Sequence, residues 1–77
     1  MANRHRLRFG DVVCEIAISD NPTPWYPVYA ATAFKVLDDG ELEAIPMGER
    51  AAKTRERALE QMRDALELRF GAAGEPV

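Results

Sequence analysis

The chain has one cysteine and one histidine among its 77 residues. A single cysteine excludes an internal disulfide. His5, with no Cys/His cluster around it, does not make a zinc site. A chain this short buries only about 60% of its unfolded surface, and small domains are usually braced by disulfides, a metal or a partner subunit. With the first two excluded, tight packing or self-association is left. No cofactor motif is present either.

No stretch approaches the roughly 20 consecutive apolar residues of a membrane span. The opening MANRHRLRFG lacks the apolar core of a signal peptide. Charge of one sign is also missing. Ten basic and 13 acidic side chains leave a net charge of −3, which argues against a general nucleic-acid binder. Cys14 lies inside an apolar strand pattern, where a free thiol behaves as a small buried hydrophobe. These features fit a reducing cytoplasm. No Ser/His/Asp or Cys/His arrangement can be assembled, so the geometric roles of an active site are unfilled and the chain is not expected to be an enzyme.

Aromatic residues are few, six in all, and three of them fall in NPTPWYPVYA, residues 21 to 30, together with three of the five prolines. Such a segment reads as a binding loop or as a stiff lid. Prolines narrow the unfolded ensemble and so lower the entropic cost of ordering the loop. Trp25 is expected to fold back over the core edge, with Tyr26 at the surface. Trp25, Tyr26 and Tyr29 are the candidate interaction residues, because Trp and Tyr are enriched in binding hot spots.

Around this loop the pattern is extended. In RHRLRF, Leu7 and Phe9 share one face, with Arg6 and Arg8 on the other. Gly10-Asp11 suits a two-residue hairpin turn or a bulge. VVCEIAIS, residues 12 to 19, places Cys14, Ile16 and Ile18 on one side and Val13, Glu15 and Ala17 on the other. VYAATAFKVL, residues 28 to 37, divides into Val28, Ala30, Thr32, Phe34 and Val36 against Tyr29, Ala31, Ala33, Lys35 and Leu37. The first set holds the larger side chains and is expected to face the core. After an Asp-Asp-Gly turn, ELEAIP returns as the next strand.

The remainder is helical. Ala58, Leu59, Met62, Ala65 and Leu66 recur on one amphipathic face. The Thr54 hydroxyl can cap the first turn, and Gly71 is the natural stop. A start at Glu49 is the alternative, which leaves residues 49 to 53 as helix or loop. Leu68 falls about 120° off the apolar stripe, so it is expected to be partly exposed, either adding to an interface or covering the last turn.

The expected fold is α+β: a three-stranded antiparallel meander with one C-terminal helix packed on one face, or a four-stranded one if residues 6 to 9 form a strand of their own. Residues 1 to 71 make the domain, and 72 to 77 a frayed tail. One helix covers one face of such a sheet. The other, carrying Tyr29, Ala31, Ala33 and Leu37 with Val13 and Ala17, is expected to be apolar enough to mark a homodimer or protein interface. Arg50, Lys53, Arg55 and Arg57 crowd the helix start, where the dipole disfavours cations, so they form a candidate anion-binding group.

TRERALEQMRDALEL, residues 54 to 68, resembles the helix of HicB-type antitoxins, in which a Thr or Ser cap precedes an acidic, Ala/Leu-rich helix after three strands. That resemblance implies a small β-β-β-α domain that neutralises an RNA-cleaving partner. The element order is also similar to double-stranded-RNA-binding domains, whose basic helix start is echoed by Arg50, Lys53 and Arg55. As a whole, the chain looks most like small bacterial β-β-β-α proteins of unassigned function. The expected function is therefore a non-catalytic interaction module with an unknown protein partner or a second copy, with an RNA- or toxin-associated regulatory domain as the alternative.

Overall fold

A computed structural model describes residues 3–21 and 28–77, the side chains of 20 and 21 excepted. The predicted loop residues Trp25 and Tyr26 lie outside the described residues. The element order is β1 (Arg4–Phe9), β2 (Val12–Asn21), β3 (Val28–Val36), β4 (Leu42–Ala44), β5 (Arg50–Ala52), α1 (Arg55–Phe70) and β6 (Gly74–Pro76). The fold is α+β with an antiparallel sheet and one helix, as expected, but the sheet has six strands rather than three or four.

Sheet order is β4-β3-β2-β1-β6, with β5 pairing the N-terminal half of β3 on the edge whose C-terminal half pairs β4. Residues 4 to 9 do form a separate strand. It is joined to β2 by the two-residue turn Gly10-Asp11, where Gly10 takes φ 64°. Positive φ at the first central position costs glycine little, and it matches the twist of the flanking strands. His5 sits within β1 opposite Ile16.

Two short strands were not anticipated. Residues 50 to 52 are neither helix nor loop but β5. The expected tail instead supplies β6, which pairs Leu7↔Pro76, Arg8↔Glu75 and Phe9↔Gly74. Gly74 is required by packing: a Cβ there would lie 2.7 Å from Phe9 Cε1 and 3.0 Å from its Cζ. Its N–H donates to Glu67 Oε2 at 2.7 Å, tying the strand to the helix.

The helix ends where its sequence indicates. The Thr54 hydroxyl accepts from the Arg57 N–H at 3.1 Å, and Gly71, at φ 67°, donates to the Glu67 carbonyl at 2.8 Å. Each bond satisfies a backbone group that a helix terminus would otherwise leave unpaired. Ala58, Met62 and Leu66 are fully buried against the sheet, while Leu59 packs at the margin. Leu68 is 88% exposed, on the helix side turned away from the sheet. It therefore belongs to a different surface from the sheet's second face.

The core face of β3 reverses the expectation. Strand pairing aligns Cys14↔Lys35, Ile16↔Ala33 and Ile18↔Ala31. Directly opposed residues share a face. Because Cys14, Ile16 and Ile18 face the helix, so do Ala31 and Ala33, and both are buried. Phe34 and Val36, taken as core for their size, lie half-buried on the opposite face. The helix lies over β3, and alanines on both sides of that contact (Ala31 and Ala33 below, Ala58 above) let it come close. Ile16, Ile18, Met62, Leu66 and Phe9 fill the flanks. Phe9 also meets Phe70, with ring centroids 6.1 Å apart. Interior volume is matched across facing layers, so a small residue is favoured wherever the opposing backbone is near.

Candidate functional site

The sheet face opposite α1 is built from residues that alternate with the core set along each strand. Its rows can be followed across the strands. Glu75, Arg8 and Val13 make one row, which Val36 and Leu42 continue. Arg6, Glu15, Phe34 and Ala44 make the next. Arg4, Ala17 and Thr32 follow, then Ser19, Ala30 and Ala51. None of the described elements packs on this face; the helix contacts only the other side. The β1 flank is cationic, and the β3/β4 flank is apolar. Val13 and Ala17 were expected here. Tyr29, Ala31 and Ala33 were not brought with them, because the register turns them inward.

Glu15 organises the middle of the face. Its side chain is only 7% exposed, yet it is charged. Arg4 Nη1 donates to Oε2 at 2.6 Å and Arg6 Nε donates to Oε1 at 3.0 Å. The two arginines are themselves 65% and 51% exposed. The carboxylate is thus covered mainly by its own partners and lies just below the surface rather than deep in the core. The Arg4 hydrogen bond, followed by that of Arg6 and the charge of both, holds the Glu15 carboxyl below its usual range against the opposing effect of burial. Arg8 makes no hydrogen bond or ion pair among the described residues.

At the sheet end that carries Arg8, the β1–β2 turn and the β3–β4 turn border an open groove of about 550 Å³, lined by Val12, Val13, Val36 and Leu37 with Lys35 and the acids Asp11, Asp38 and Asp39. Asp39 Oδ1 accepts from the Glu41 N–H at 3.0 Å, which fixes the turn.

Three of the four basic residues near the helix start have partners within the chain, and Lys53 and Arg55 border one shallow pocket. Arg50 lies in β5 and donates to the carbonyls of Met47 and Glu49 at 3.2 and 3.3 Å. Arg55 stacks over the Tyr29 ring at 5.1 Å and donates to Asn3 Oδ1. Arg57 pairs with Glu60 at 2.6 Å, one helical turn on. Lys53 is exposed. Tyr29, a candidate interaction residue, is half-buried on the helix side, where its ring supports Arg55. Cys14 is fully buried, and that burial pushes its thiol upward, away from the reactive thiolate. Among the described residues, no three His, Cys, Asp or Glu side chains are grouped to hold a metal. No helix among them is long and apolar enough to cross a membrane.

Sequence reasoning missed the Arg4–Glu15–Arg6 cluster. Its signal was there, in arginines at alternate positions of one strand and a lone acid amid the apolar residues of the next. Compared with known proteins, the chain matches no family model, no curated protein and no solved structure.

Proposed function

We propose that this protein is a non-catalytic cytoplasmic interaction module whose working surface is the sheet face opposite the helix, and that the occupant of that face is a second copy of the chain. The observation that carries the reading is the apolar patch formed by Val13, Thr32, Phe34, Val36, Leu42 and Ala44, half-buried or exposed, facing away from α1 and left uncovered by the described residues.

Size supports a weak association. Four strands, β1 to β4, at about 4.8 Å spacing and roughly seven residues at 3.3 Å rise give a flat face of about 400 Å², of which the apolar patch is the β2–β4 part. Stable dimers use about 800 Å² per partner, and weaker, transient ones use less. A dissociation constant in the micromolar range, roughly, is the corresponding expectation. Two such sheets can stack about 10 Å apart as a sandwich. Burying a second face would also brace a domain whose single core is small. The acidic net charge makes the basic flank of this face its exception, and that asymmetry favours a defined orientation over indiscriminate sticking.

A second reading, single-stranded RNA binding, draws on Arg4, Arg6 and Arg8, which repeat about every 6.6 Å along β1. Glu15 already engages two of those three, and Glu75 stands opposite the third. The dimer is therefore preferred.

Sedimentation equilibrium over a hundredfold concentration range tests this. The mass should rise from monomer to dimer. Leu42→Glu and Val36→Glu should hold the chain monomeric, and Leu68→Glu, on the outer helix surface, should not. A monomer at every concentration overturns the reading. Nuclease-sensitive RNA retained on the purified monomer would replace it with the second.

A further inference from the structure

Two sheets can meet face to face about a two-fold axis lying between them, and the axis direction decides which strands oppose each other. An axis perpendicular to the strands places β1 over β1. That brings Arg4, Arg6 and Arg8 of both copies together, a like-charge arrangement with a steep cost in a partly dried interface. An axis parallel to the strands, between β2 and β3, does the reverse. It puts β1 of each copy over β4 of the other, while each sheet end stays above the same end.

The charge distribution of the sheet face fits the second arrangement. Arg8 is exposed, on the open face, in the row that ends at Leu42 on the opposite edge of that face. The turn joining β3 to β4 at that same end carries Asp38 and Asp39, both exposed and neither in an ion pair among the described residues. Leu42 is one of the large apolar side chains left exposed. An arginine arriving over Leu42 lays its aliphatic stem on that side chain and its guanidinium beside the acidic turn, as long cationic side chains do at interface rims. Glu75, across from Arg8 on β6, offers only one neighbouring carboxylate, and the two make no ion pair. The other two arginines are held back by Glu15 and so mainly preserve the shape of the flank.

Resting on the dimer reading above, we infer that the two copies associate about an axis parallel to their strands, with Arg8 of each seated on Leu42 of the other and its guanidinium against the Asp38-Asp39 turn. The contact occurs twice per dimer. It selects a second copy because the same chain supplies the cation at one edge and the acid at the other.

Charge exchange tests this. In Arg8→Glu each homodimer carries two like-charge contacts, and in Asp39→Arg each contact has one of its two acids replaced by a cation, so each variant should dissociate roughly tenfold more readily than the native protein, the sum expected for two exposed pairs of this kind. An equimolar mixture of the two variants restores both contacts in the heterodimer. Its affinity should return to within about threefold of the native value, and the native dimer should weaken as salt rises. Both positions are exposed, and circular dichroism of each variant confirms that the fold is kept. If the native protein dimerises and Leu42→Glu abolishes it, but the mixture shows no recovery over the single variants, the axis and the Arg8 contact are refuted while the dimer reading stands. If the native protein is monomeric throughout, both fall together.

Discussion

Substituting Ala31 and Thr32 in parallel asks which face of β3 is inside. Ala31 is fully buried under the helix, while its neighbour Thr32 is half-buried on the open face. Ala31→Leu adds three carbon atoms at a fully buried position of the strand on which α1 packs. Overpacking of this kind costs about 1 to 3 kcal/mol. A domain of this length has a total stability of about 4 to 11 kcal/mol. One kcal/mol moves the melting temperature by about 4 to 8 °C at this size, so the variant should melt about 5 to 20 °C lower. Thr32→Leu changes a position with open space in front of it and should stay within about 0.5 kcal/mol of the native protein. Thermal and urea unfolding of the pair, at two protein concentrations tenfold apart, removes self-association from the comparison. If Thr32→Leu is the damaging change and Ala31→Leu the tolerated one, Phe34 and Val36 face the helix after all, and the candidate surface lies on the wrong side of the sheet.

The Glu15 cluster makes stability depend on acid pH. The carboxyl lies below its ordinary value of 4.5 in the folded protein, so its contribution is complete above that value and is lost as pH falls through the lower folded one. Glu15→Gln should therefore flatten the acid limb of a plot of urea midpoint against pH, and an unchanged limb would assign acid sensitivity to other carboxylates. Gly74→Ala forces a methyl group to within 2.7 Å of the Phe9 ring. Either the ring or β6 must yield, at about 1 to 3 kcal/mol. Amide exchange should quicken at the β1 positions that β6 pairs, and native protection there would mean that the strand is not held by this contact.

The sequence alone determined the elements whose cause is local. Gly10-Asp11 turns β1 into β2 because glycine reaches positive φ without strain. Thr54 and Gly71 bound the helix because a hydroxyl and a left-handed residue satisfy backbone groups only one turn away. Cys14, Ile16 and Ile18 mark a face of β2 because alternation has period two. Alternation divides β3 into two faces but does not say which one is inside. That was decided by the register against β2 and by how near α1 approaches, so small Ala31 and Ala33 displaced Phe34 and Val36 from the core. The strands β5 and β6, three residues each, have no period of their own to read and exist through the edges they pair with. The candidate surface depends on the same non-local terms. Arg4 and Arg6 announce a charged face of β1, but only the tertiary pairing of β1 with β2 brings Glu15 between them, and only the choice of inner face leaves Phe34, Val36 and Leu42 on the open side of the sheet.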